Sequence, residues 1–195
     1  MSKQDKQKWD TKYLAKNQLL QPRLASQNLQ KLMTNINASK ALDLASGAGR
    51  NSIYLAQMGF EVDAVDIASI ALDALNTEAK KQDLHSKINT HLADLDTFTI
   101  KKDYYSLIVM CNFLDRDLIQ SSLDALQSGG KLFVETYMIS DENEKTKSEL
   151  KNLLKKDELK HLINDNFEIE LYDEFKNEDY EIYKMKKQVI VARKK

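Results

Sequence analysis

Two acids sit at the ends of two apolar runs, Asp43 in Ala41-Leu42-Asp43-Leu44 and Asp66 just after Phe60 to Val65. Between them lies Gly47-Ala48-Gly49, followed by a helix-like pattern. A strand, a glycine turn and a helix bring backbone N–H groups to one point, and the missing side chains let a ligand come close. A carboxylate at the end of the second strand accepts two hydrogen bonds from a ribose diol. The chemistry on offer is nucleoside binding. Ser52 stands where a dinucleotide fingerprint needs its third glycine, which weakens a pyrophosphate reading, and no Gly-Lys-Ser/Thr follows to make a P-loop. By themselves the glycines make only a tight turn; the two acids argue for a nucleoside.

The remaining chemical candidates are scattered. Arg116 suits an anionic substrate or plain solvent. Glu135 and Tyr137 alternate near the end of a strand and share a face, as a proton acceptor or as a structural carboxylate–hydroxyl pair. Cys111, Asn112 and Phe113 end the preceding strand, where Cys111 is equally a small buried apolar residue. Asp94 follows a third strand, as a ligand contact or a helix cap. Trp9 and Tyr13 share a helix face, as core or as a cover over a cleft. Arg50 shapes the turn or makes a structural ion pair. The three histidines show no ligand spacing with one another or with Cys111, so no metal is expected.

Positioning these residues requires alternating elements. Helical spacing covers Trp9 to Leu20 and Leu24 to Ile36, parted by Pro22. Strands are expected at 41–44, 60–65, 88–92, 104–110, 131–138, 167–175 and 188–193. Helices are expected at 52–58, 70–81 (with Ser69 as N-cap), 117–126 and 157–163. The stretch 139–153 fits a helix, a loop or a lid. This pattern predicts an α/β fold, a doubly wound, seven-stranded, mostly parallel sheet closed by a C-terminal antiparallel hairpin. One domain is expected over 1–195, with 1–36 as a helical cap over the cleft.

The whole chain sets broad limits. Its 195 residues carry a net charge of −1, which creates no global field for nucleic acid or membrane. One cysteine rules out an intrachain disulfide. No apolar signal core or membrane-length run is present, so a cytoplasmic monomer or weak homodimer is expected.

Asp43-Leu44-Ala45-Ser46-Gly47-Ala48-Gly49 resembles the first motif, D/E-x-G-x-G-x-G, of the class I S-adenosylmethionine-dependent methyltransferases. The likeness covers nearly the whole chain. "WDTKY" and "DLASGAGRNSIYLAQMGFEVDAVD" bring it nearest to the small bacterial tellurite-resistance type. The resemblance implies S-adenosylmethionine as cofactor and a small-molecule acceptor. A tRNA or protein acceptor, and a non-catalytic relative, are the alternatives. It implies cofactor contacts from Trp9, Tyr13, Asp43, Ala45, Gly47, Gly49 and Asn51. It implies that Asp66 holds the ribose and Ile67 packs on adenine. Asp94 and Leu95 meet the adenine amine and ring, and Cys111 and Asn112 line the methionine side. Arg116, Glu135 and Tyr137 are left to face the acceptor. Ala45 departs from the motif glycine, and alanine takes a positive φ only at a cost.

Overall fold

The computed structural model describes residues 3–33, 36, 38–144, 150–177 and 181–195. Seven strands form one sheet: β1 Lys40–Leu44, β2 Glu61–Asp66, β3 Ile88–Leu92, β4 Tyr105–Cys111, β5 Leu126–Tyr137, β6 Phe167–Lys176 and β7 Lys186–Lys194. Their order is β3-β2-β1-β4-β5-β7-β6. The first five pair in parallel, and β7 pairs antiparallel with both β5 and β6. The expected sheet and its closing hairpin are both present. Strand order reverses between β1 and β4, and the crevice above that point is where such sheets take ligands.

Side chains alternate across the strands and bury both faces. Leu42, Leu44, Ile108, Met110, Leu132 and Val134 face α5 (Arg116–Ala125) and α6 (Glu158–Leu162). Ala41, Val62, Leu107, Val109 and Phe133 face the other side, under α2 (Gln27–Leu32), α3 (Arg50–Gln57) and α4 (Ser69–Lys81). Strands buried on both faces read as continuous apolar runs, as in Tyr105–Cys111. The caps are explicit. Asp115 accepts the Leu118 N–H at 2.9 Å at the start of α5, and Ser26 accepts the Leu29 N–H at 3.3 Å at the start of α2.

Several boundaries differ from expectation. The first helix, α1, spans Lys3–Ala15 and gives way to a 3-10 turn at Asn17–Leu19. The second starts late, spanning Gln27–Leu32, because the chain from Leu24 to its cap Ser26 takes no helical turn; residues 34–35 of the expected helix lie outside the described residues. Ser69 lies inside α4 instead of capping it; Ala68 is the N-cap residue, and its N–H is taken by Asp66. Strand β5 begins at Leu126, five residues early, with a register shift against β4 between Tyr105 and Leu107. Of the stretch 139–153, residues 145–149 lie outside the described residues. Its end forms a 3-10 turn at Leu150–Asn152, and Met138 bridges Leu154.

Candidate functional site

The turn between β1 and α3 is held in a left-handed conformation at three residues. Ala45 has φ 55°, Gly47 56° and Gly49 78°. Gly49 is the N-cap of α3, and a Cβ there would come within 2.2 Å of Leu75 Cδ1 on α4. A Cβ on Gly47 would lie 2.7 Å from the Tyr13 hydroxyl. Both glycines are therefore demanded by backbone and by neighbours together. Ala45 adopts the strained conformation without the glycine that usually permits it.

Two buried acids fasten this turn. Asp66 Oδ2 accepts the Gly47 N–H at 2.7 Å, and its Oδ1 accepts the Ala68 N–H at 2.8 Å. Burial raises the Asp66 carboxyl above its usual range, against the pull of these N–H groups. Asp43 lies beneath the turn at 2% exposure and accepts the Ser52 hydroxyl proton at 2.6 Å. Burial pushes Asp43 up to about 7, with the Ser52 hydrogen bond opposing. Ser52, which breaks the dinucleotide pattern, is thus the partner of a buried acid.

The N-terminal segment closes over the turn. Tyr13 is buried at 8% exposure, against Ala68 and Ala71, with Trp9 packed beside it at a ring separation of 6.2 Å. Burial and the Asp66 charge push the Tyr13 phenol up. Asn51 does not project toward the cleft. Its Oδ1 accepts the Ser26 N–H at 3.2 Å and ties the segment to α3.

Beyond Tyr13 a charged cluster sits over the ends of β4, β5 and β7. Arg50 Nη1 meets Glu181 Oε1 at 2.8 Å, Lys187 Nζ meets the same oxygen at 3.3 Å, and Arg23 Nη1 stands 4.0 Å from Glu181 Oε2. Lys187 also bonds Glu135 Oε1 at 3.1 Å. Burial opposes ionisation of Glu181, but Lys187 and Arg50 hold it below the usual carboxylate range. Arg23, Glu181 and Lys187 were not singled out from sequence. Lys187 has one signal there, a lysine opening the apolar Val189-Ile190-Val191 strand.

The other expected site residues are placed as follows. Glu135, at 3% exposure, accepts from Ser26 Oγ at 2.7 Å and Asn28 Nδ2 at 3.1 Å besides Lys187. Its carboxylate is fully engaged and acts as a strut among β5, α2 and β7. Tyr137 lies beside this cluster, its phenol pushed up by burial and by Glu181, and so stays protonated at neutral pH. Arg116 is engaged by α6 and the segment before it, bonding Glu158 Oε1 at 2.6 Å and the carbonyls of Lys151 at 2.8 Å and Leu153 at 3.3 Å. Leu95 packs in the core with Leu44 and Val65, and Ile67 is buried beside the cleft. Asp94 Oδ1 accepts the Asp96 N–H at 3.0 Å, which stiffens the turn after β3. Burial and Glu135 raise the Cys111 thiol, which keeps it an inert wall.

Buried polar atoms without a hydrogen-bond partner mark what this cleft suits. Among the described residues these include Asp10 Oδ1, Ser46 Oγ and Asn112 Oδ1. Ser46 lies in the glycine turn, and Asn112, at φ 58°, directly follows β4. Asp10, on α1, is near enough to raise the Asp66 carboxyl. Two of the three atoms are acceptors only, and buried acceptors of this kind call for donors. The ammonium, ribose hydroxyls and adenine amine of S-adenosylmethionine are such donors, so the residues present fit that cofactor. No cluster of three His, Cys, Asp or Glu side chains suited to a metal occurs among the described residues, nor does a helix long and apolar enough to cross a membrane.

Comparison with known proteins points the same way. Residues 9–180 match the family model described as tellurite resistance protein TehB. A probable S-adenosyl-L-methionine-dependent methyltransferase TehB of Haemophilus influenzae is 31% identical over 113 residues, which make up 55% of this chain and 39% of that protein. The crystal structure of TehB from Haemophilus influenzae superposes with a TM-score of 0.76 at 27% identity, covering 88% of this chain and 63% of that one. An S-adenosylmethionine-dependent methyltransferase of Methanosarcina mazei shares the fold, with a TM-score of 0.69 at 18% identity over 88% of this chain and 99% of that one. The chain thus spans well under half the length of the Haemophilus relative matched in sequence.

Proposed function

From the premise that this chain belongs to the TehB family, which its match over residues 9–180 establishes, we propose that it transfers a methyl group from S-adenosylmethionine to a small-molecule acceptor. The observation that carries the reading is the left-handed turn at Ala45, Gly47 and Gly49, set at the β1/β4 switch point beside orphaned acceptors at Asp10 and Asn112.

When bound, the cofactor supplies a sulfonium methyl that is already electrophilic. The chain's task is then to bind, orient and exclude water. The N–H groups of the turn and the Asp66 carboxylate form the ribose side. Asp66 exchanges its Gly47 N–H bond for hydroxyl donors at little net cost, since one charge-assisted bond replaces another. Asp43, Ser46 and Asn112 form the methionine side, where Asp43 in its ionised form complements an ammonium. Tyr13 and Trp9 cover the cleft and keep water out. Tyr137, protonated and within reach of the Arg50 and Arg23 charges, orients an acceptor through its hydroxyl and takes no proton from it. Glu135 is a positioning residue, since its oxygens are committed to Ser26, Asn28 and Lys187.

The test is an acceptor screen read by release of S-adenosylhomocysteine, with tellurite, the oxyanion in the family's name, among the compounds. Turnover with at least one small acceptor, lost in Asp66→Ala, is expected. Turnover confined to tRNA or protein substrates would transfer the function to a macromolecular acceptor.

A further inference from the structure

Among the described residues, Arg23, Arg50 and Lys187 pair with two carboxylates, Glu135 and Glu181. The side chains of Arg50 and Glu181 are 7% and 4% exposed, so their pairing is a buried one. Yet Glu181 fits poorly. It reaches Arg50 at 2.8 Å but Arg23 only at 4.0 Å. Arg23 Nε and Arg50 Nη2 are buried with no acceptor among the described residues. Guanidinium groups favour two parallel bonds to one carboxylate, and each unmet buried N–H costs stability. The two forks therefore offer more than Glu181 takes.

Glu135 cannot serve as the missing anion, being held by Ser26, Asn28 and Lys187. Glu181 is differently placed, on the connection between β6 and β7. The position of the forks is also telling. The charge of Arg50 acts on Asp43, Cys111 and Tyr137, and that of Arg23 on Tyr13 and Tyr137. Of these, Asp43 belongs to the methionine side of the proposed cleft, and Tyr13 packs against the glycine turn.

We infer that Arg23 and Arg50 form a seat for the carboxylate of an acidic small-molecule acceptor, and that Glu181 occupies this seat until the acceptor displaces it. The inference rests on the methyl-transfer reading of the cleft and specifies its acceptor. Exchange of one carboxylate for another leaves the buried charge unchanged, which avoids the penalty of an unpaired ion. The incoming group gains the two N–H donors that Glu181 leaves idle.

Benzoate and its neutral isostere benzamide probe the seat by calorimetry at fixed ionic strength, with inorganic phosphate as a third ligand. Glu181→Gln is expected to bind benzoate about tenfold more tightly than the unaltered protein, because its internal competitor is gone. Benzamide gains nothing, phosphate gains less than benzoate, and adding Arg23→Gln removes the benzoate gain. Benzoate raises the melting temperature of Glu181→Gln more than that of the unaltered protein. Should Glu181→Gln not fold, Glu181→Asp, with the carboxylate drawn back, takes its place and shows a smaller gain for benzoate alone. Equal benzoate affinity with and without the substitution overturns the inference. So does an equal gain for benzamide or phosphate, or a gain that survives loss of Arg23. The titrations are run with and without S-adenosylhomocysteine. A benzoate gain in a protein that binds no S-adenosylhomocysteine supports the seat while removing the methyl-transfer reading.

Discussion

Ala45 holds φ at 55° where an alanine side chain crowds its own carbonyl. The strain of a left-handed alanine, about 1–2 kcal/mol, is offset in part by its lower freedom in the unfolded chain, about 0.4–1 kcal/mol. Ala45→Gly should therefore stabilise the protein by roughly 0.5–1 kcal/mol, measured as a higher denaturant midpoint with an unchanged slope. Asp43 leads to a second prediction. Burial raises its carboxyl from the ordinary range to about 7. Between the unfolded value near 4 and the folded value the native state binds the extra proton. Stability therefore falls as pH rises through that window, the reverse of a salt-bridged acid. Asp43→Asn keeps a partner for Ser52 and removes the buried charge. It should raise stability at pH 8 by about 1–4 kcal/mol, with no gain at pH 4. A substitution effect equal at both values would exclude ionisation of Asp43 as its cause. The same substitution should weaken S-adenosylmethionine binding at pH 8, since the ammonium loses its counter-charge.

At the scale of elements, Lys187 on β7 joins β5, through Glu135, to the chain near Glu181. Lys187→Met leaves Glu135 buried with only the neutral Ser26 and Asn28, and Glu181 with only the arginines, and should cost about 3–5 kcal/mol, seen as a lower melting temperature. Its size would fall in Lys187→Met/Glu135→Gln, which removes one of the stranded charges. This network also marks where reading from sequence stops. The sheet was legible because Leu107 to Cys111 and Val189 to Val191 are apolar runs between polar joints, and burial on both faces leaves no other pattern. Gly47, Gly49, Asp43 and Asp66 were legible because they lie close together along the chain and one turn brings them together. Arg23, Glu181 and Lys187 meet only through the folded sheet, and nothing local distinguishes them from the many exposed lysines and glutamates. The engagement of Arg116 was hidden for the same reason, since its partner Glu158 is met only across the packing of α5 on α6.

At the scale of the whole molecule, polarity is divided along one cleft. Acids at Asp10, Asp43 and Asp66 gather around the β1–β2 end, while Arg23, Arg50 and Lys187 gather around Glu181 and Glu135 toward β5 and β7. A positively charged donor and an acidic acceptor would meet between them, each against groups of opposite sign. The net charge of −1 conceals this, because the two groups cancel in the sum. A cleft suited to a single nucleoside with a methionine tail should refuse a dinucleotide. Calorimetric titration with S-adenosylhomocysteine and with NAD tests it directly. One micromolar site for S-adenosylhomocysteine is expected, weakened in Asp66→Ala by about 1.5–3 kcal/mol, with no heat of binding for NAD. A protein that binds NAD and leaves S-adenosylhomocysteine unbound would contradict it.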